Sequence, residues 1–272
     1  MKTFKKTLAA LAIASGMVVA GSAHATLTNW YLDTDGAGGN APVLVNDYVD
    51  LTGTAYVHNT FSSPTAFNFN EYGNFNALSV DGVTLLNPFL TASFAATGSG
   101  TTGGLLTFNP FSSVITAQNP AGNGILTIKS GATTIGVFDL QSGSANLFAN
   151  STLPNGTVSL IFKATSLTPG YFFNSAMTDL STLVSNPFVF GFATTNVISL
   201  ANGTRTVTTP LLTGYNNVFS PAQGPTLVAN NTTDLFISNN GQYRLSVPEP
   251  GSLALIGLGL VGLATSLRRR KS

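Results

Sequence analysis

The sequence predicts an all-β protein: an antiparallel β-sandwich or jelly roll, with an N-terminal signal helix and a C-terminal transmembrane helix at its two ends. Three observations carry this reading. Apolar and polar residues alternate through much of the middle of the chain, which is the period of a half-buried strand. Gly-containing turn pairs punctuate the alternation. No stretch of the middle sustains the 3.6-residue period of a helix, so nothing is at hand to cross over between parallel strands. The 272 residues divide into a signal peptide at 1–25, an all-β domain at 26–247 and a C-terminal segment with a short apolar helix and a basic tail at 248–272.

The start carries Lys2, Lys5 and Lys6, then an apolar run from Leu8 to Ala20, then Gly21-Ser22-Ala23-His24-Ala25. Lysines hold the beginning on the cytoplasmic side. The run is too short for a stable anchor, and Ala23 and Ala25 present small side chains to a signal peptidase. Cleavage is expected after Ala25.

In the middle, Val49, Leu51, Gly53, Ala55 and Val57 fall on one face of a strand, and Tyr48, Asp50, Thr52, Thr54, Tyr56 and His58 on the other. Phe67, Phe69 and Glu71 alternate with Asn68, Asn70 and Tyr72. Val158, Leu160, Phe162 and Ala164 follow the same rule. Tight hairpins are expected at Asp81-Gly82, Ser130-Gly131, Asn202-Gly203 and Asn240-Gly241, where Gly and Asn supply positive φ angles. One short helix is expected near Thr178–Val184. Ala95–Gly104 and Thr213–Thr226 read as long loops, because Gly, Thr, Ser and Pro dominate them.

The end reads Val247-Pro248-Glu249-Pro250-Gly251, then Ser252 to Leu267, then Arg268-Arg269-Arg270-Lys271. Sixteen helical residues reach about 24 Å, a short span for a hydrocarbon core about 30 Å thick. The basic cluster stays cytoplasmic, so the tail crosses back from outside. The two prolines keep the peptide before the helix extended and open to a processing enzyme.

Charged residues make up only 8 % of the chain, yet 19 Phe and 7 Tyr are present. Disordered chains are usually charged and poor in aromatics, so a folded middle is expected. Cys is absent, which excludes disulfides, thiolate metal sites and a Cys nucleophile. Between 26 and 247, Lys129, Lys163, Arg205 and Arg244 face nine carboxylates. A domain with that balance is a poor phosphate binder, which excludes nucleic acid as a partner.

Candidate chemistry is sparse. His58 is the one His after the signal peptide. Asp50 shares its strand face about 26 Å away, and no Gly-x-Ser-x-Gly elbow exists. His58 therefore reads as a surface strand residue rather than a general base. Asp33-Thr34-Asp35-Gly36-Ala37-Gly38-Gly39-Asn40 suits calcium better: Asp33 and Asp35 can face one hard cation, with Asn40 and backbone carbonyls adding oxygens. A solvated turn is the competing reading. Leu44 stands where an EF-hand needs its Glu. Trp30, Tyr31, Tyr48, Tyr56 and Tyr72 offer rings to sugar faces, although aromatics in strands usually serve the core.

Pro248-Glu249-Pro250, the Gly/Leu-rich helix and the Arg268-Arg269-Arg270 cluster, in that order, resemble the PEP-CTERM sorting signal of exported bacterial proteins. The resemblance implies an exosortase-type processing enzyme as partner and a transient inner-membrane anchor through 252–267. It also implies final residence at the cell surface or in the extracellular matrix, alongside exopolysaccharide. Asp47-Tyr48-Val49-Asp50-Leu51-Thr52-Gly53 and Phe67-Asn68-Phe69-Asn70-Glu71-Tyr72-Gly73, after an early Asp-Gly loop, are similar to the flocculation-associated PEP-CTERM proteins. That similarity implies a non-enzymatic matrix protein with no catalytic residues and no cofactor. The alternatives are a calcium-dependent glycan-binding module and an extracellular glycan-processing enzyme.

Overall fold

The computed structural model describes residues 27, 29–36, 39–102, 111–115, 124–148, 155–184, 190–199, 209–219 and 234–246. The expected signal and transmembrane helices, the Asn202-Gly203 turn, and the processing residues Ala23, Ala25, Pro248, Glu249, Pro250, Arg268, Arg269 and Arg270 lie outside them. No helix among the described residues is long and apolar enough to cross a membrane.

The strands are β1 (Trp30–Leu32), β2 (Val43–Val45), β3 (Val49–Phe61), β4 (Ala66–Val80), β5 (Thr84–Thr102), β6 (Phe111–Ile115), β7 (Ile125–Ser130), β8 (Thr133–Phe148), β9 (Asn155–Leu167), β10 (Phe172–Phe173), β11 (Phe190–Ser199) and β12 (Asp234–Ser246). Nine of them form one sheet in the order β4-β3-β12-β11-β9-β8-β6-β5-β7, and β4 also pairs with β5. The sheet therefore closes on itself. β6 and β7 share one place in the wall, since both lie between β5 and β8. The result is an antiparallel barrel with eight positions, wound mainly as a meander, in which the last strand pairs with the first long one.

The all-β, antiparallel expectation holds, but the sheet is a closed barrel and not a sandwich or jelly roll. Alternation cannot separate these, because each has one buried face per strand. What decides is the pairing of β12 with β3, between segments far apart in sequence. Closure leaves the nine-stranded sheet without an open edge among the described residues.

Inside the barrel, the apolar face foreseen on β3 (Val49, Leu51, Ala55, Val57) is buried with Phe67, Phe94, Phe138 and Phe162. Glycines on this face make room for rings. Gly100 lies opposite Phe67, and a Cβ at Gly100 would overlap the Phe67 ring. That explains why β5 continues through 95–102 of the stretch expected as a loop: Gly100 seats a ring there and does not break the strand, and the rest of the expected loop lies outside the described residues. β12 likewise runs straight through Asn240-Gly241, which pair with Thr52 and Leu51. The Asp81-Gly82 and Ser130-Gly131 turns form where expected, with φ of 53° at Asp81, 70° at Gly82 and 56° at Gly131.

A helix, α1 (Thr209–Val218), covers part of the outer surface. It overlaps the second expected loop. Its apolar stripe, Leu211, Leu212 and Tyr215, together with Phe219 just past its end, meets Tyr56, Ala95, Phe236 and Tyr72. Pro210 in the first turn is compatible with a helix start. Gly214 allows close approach, because a Cβ there would overlap the Tyr72 ring. Tyr56, expected on a polar outer face, is fully buried beneath this helix.

β10, β1 and β2 form a second, three-stranded antiparallel sheet. Its Trp30, Leu32 and Phe172 line a small apolar cavity with Val49, Leu51 and Tyr243. This sheet thus packs at the end of the barrel where β3 begins and β12 finishes. The short helix expected near Thr178–Val184 is a 3-10 turn at Leu180–Leu183. Its Asp179 cap accepts from the Ser181 amide.

Candidate functional site

The Asp33–Asn40 loop follows β1 directly. Asp33 Oδ1 accepts the backbone amides of Asp35 at 3.1 Å and Gly36 at 3.0 Å. Asp35 Oδ2 accepts from Asn40 Nδ2 at 2.8 Å and from its amide at 3.3 Å. The three expected residues are therefore brought together, with Asp35 as the link. Burial first, and the neighbouring Asp35 second, push the Asp33 carboxyl above its ordinary range. Asp35 Oδ1 is buried and has no hydrogen-bond partner among the described residues. Gly36 takes φ 72° and sits under the Tyr171 ring, so no larger residue fits there. No cluster of three or more His, Asp or Glu suited to a metal occurs among the described residues.

The five candidate sugar-binding rings do not form one exposed platform. Trp30 and Tyr56 are fully buried. Tyr72 lies against Gly214 of α1. The Tyr48 ring carries the Arg244 guanidinium 5.4 Å from its centre.

His58 acquires a carboxylate that spacing along its own strand does not reveal. Its Nδ1 is 2.8 Å from Asp234 Oδ1, which also accepts from the Tyr56 hydroxyl at 2.5 Å. Register supplies the pairing, since His58 stands directly opposite Asp234 on β12. Tyr56 in turn meets Tyr215 of α1 edge to face at 4.8 Å. Burial, then the adjacent Asp234, push the Tyr56 hydroxyl far above its ordinary range. A tyrosine held neutral in this way suits a polar clamp under α1 better than a proton shuttle.

Glu71 is the one acid on an interior face of the barrel strands that alternation exposes in the sequence. It stands between Val57 on β3 and Ala96 on β5. The barrel wall encloses its carboxyl, although part of the residue stays within reach of water. The enclosure governs its chemistry: desolvation raises the carboxyl to about 7.

At the plugged end, Arg244 Nε and Nη2 bind Asp47 Oδ1 and Oδ2 at 2.8 and 3.0 Å. This two-pronged pair holds Asp47 below the usual carboxylate range. Asp81 accepts four N–H donors from Asn46, Asp47 and Tyr48. Burial pushes its carboxyl up, but these donors outweigh burial and hold it low.

Residues 246–271 match the family model of the PEP-CTERM protein-sorting motif. The tail is therefore a sorting signal of the kind that marks exported surface proteins for exosortase processing. No curated protein matches the chain, and no solved structure matches it.

Proposed function

We propose that the chain is an exported, non-enzymatic structural or adhesive protein of the extracellular polymeric matrix, supporting flocculation or biofilm formation with exopolysaccharide. The sorting motif at 246–271 carries this reading. The barrel supports it. Thr52, Thr60, Asn68 and Asn76 are exposed on the outer face, and neutral hydroxyls and amides exchange hydrogen bonds with sugar at little electrostatic cost. Many such weak contacts gain strength by multiplicity. The carboxylates of Asp47, Asp81 and Asp234 are engaged in structural contacts.

Fractionation of the source bacterium tests the reading. The account expects a processed form, lacking the tail, in the extracellular polymer. A full-length form confined to the inner membrane would overturn it.

A second reading, a calcium-dependent glycan-binding module, is favoured by one observation. Asp35 Oδ1 lies buried and unpartnered among the described residues, beside a second carboxyl on Asp33. Two close carboxyls with a spare oxygen would supply part of the six-to-eight-oxygen shell that calcium takes, with backbone carbonyls and water completing it.

A further inference from the structure

The β4–β5 hairpin ends in an apolar tip. Val83 is 83 % exposed, Leu85 77 % and Phe89 54 %, and Leu78 is exposed beside them. Val83 and Leu85 are the two most exposed large hydrophobic residues among those described. The tip is rigidly built. The Asp81 carboxylate ties its base to Asn46, Asp47 and Tyr48. Asp50 Oδ2 accepts from the Gly82 amide at 3.0 Å and the Ser79 hydroxyl at 2.7 Å. A built, solvent-facing apolar tip calls for a partner.

Strand register places this tip beside the exit of the chain. Tyr243 of β12 pairs with Val49, and Val49 pairs with Val80, the last residue of β4. Two strand spacings, about 10 Å, therefore separate the end of β12 from the hairpin. From Leu245 the chain has six residues, 246–251, before Ser252. Fully extended, six residues span about 20 Å. The hairpin end of the barrel is thus the end from which the chain leaves toward 252–267. The opposite end, at Ser62–Thr65, lies the length of β3 away, about 40 Å of strand.

We propose that, while the tail is membrane-inserted, Val83, Leu85 and Phe89 seat in the interfacial layer of the outer leaflet, as a second contact beside the helix. A few apolar side chains hold a free protein at a lipid surface only weakly. Here the tether supplies a high effective concentration, so the weak contact is populated. Removal of the tail removes the tether, and the barrel leaves the bilayer. The inference rests on reading 252–267 as a membrane helix, and the test separates the two.

The chain has no Cys, so single-cysteine variants of the full chain label cleanly. Leu85→Cys, Thr65→Cys and Gly257→Cys each receive an environment-sensitive fluorophore. The proteins are reconstituted in phosphatidylethanolamine–phosphatidylglycerol vesicles with and without nitroxide-bearing lipid. The expected result is loss of fluorescence to the lipid quencher at Leu85 and Gly257, with Thr65 unaffected. Quenching at Gly257 with Leu85 no different from Thr65 overturns the proposal while leaving the anchor intact. An unquenched Gly257 overturns the anchor reading and the proposal with it. A shielded Leu85 that lipid does not quench, and that dilution into excess vesicles exposes, assigns the tip to a second copy of the chain and also overturns it. Leu85 is largely exposed, so its replacement does not threaten folding.

Discussion

Asp81 Oδ2 accepts both the backbone amide and the side-chain amide of Asn46, at 2.7 and 3.0 Å. The other oxygen accepts the amides of Asp47 and Tyr48 at 2.9 and 3.0 Å. One carboxylate thus joins the β4–β5 turn to the start of β3, and fixes the apolar tip on the barrel. Asp81 itself sits at φ 53°, a conformation that Asp and Asn tolerate better than Ala.

Asp81→Ala is expected to destabilise the fold by about 2–3 kcal/mol, because it leaves several donors without their acceptor. Asp81→Asn should cost less. Urea unfolding of the three proteins checks this. The sign with pH follows from the depressed carboxyl: its contribution is present above the unfolded value of 3.8 and is lost as pH falls through the lower folded value.

Glu71 has the opposite sign. Its carboxyl rises from 4.5 to about 7 on folding, so the folded state holds a proton that the unfolded chain releases. Stability is full below pH 4.5, declines between 4.5 and about 7, and is flat above that range. Asp33, also raised from its ordinary value, adds a decline of the same sign at the acid end. Glu71→Gln should flatten the slope and stabilise the barrel at pH 8 by about 1–3 kcal/mol. Thermal melts at pH 4 and pH 8 measure it, and an unchanged slope in the variant contradicts the assignment.

Tyr243 presents a simpler case. Its ring packs edge to face on Phe138 at 5.6 Å, but its hydroxyl is buried without a partner among the described residues. Burying an unpaired hydroxyl costs about 1–3 kcal/mol, so Tyr243→Phe should be neutral or stabilising by about 1 kcal/mol. A melting temperature lowered by several degrees would mean that the hydroxyl has a partner.

The calcium reading stands on a chelator. It requires the melting temperature to fall on adding a chelator and to recover with calcium. It also requires Asp35→Asn to abolish that response. Equal melts with and without chelator dismiss it.

Parts of this structure are legible in the sequence for identifiable reasons. β3 alternates cleanly because one face meets the barrel core, and Asp81-Gly82 and Ser130-Gly131 turn because tight hairpins need positive φ. Gly100 misleads for a physical reason: a glycine that seats a ring looks the same in sequence as a glycine that turns the chain, and Gly241 stays in the ladder opposite Leu51. α1 is hidden by its short length and by the Pro and Gly residues that follow it. Contacts are legible in the sequence where they are local, as in the hydrogen bonds that link Asp33, Asp35 and Asn40. The pairing of His58 with Asp234, separated by 176 residues, exists only once β12 closes the barrel. Glu71 was visible as an acid on an apolar strand face, and that misplaced charge is the signal to follow.

Settling of cells that lack this protein, with exopolysaccharide yield measured alongside, tests the matrix role. Dispersed cells with unchanged polysaccharide yield are expected, restored by the intact chain but not by one lacking residues 248–272. Normal flocs in the deletion strain would contradict it.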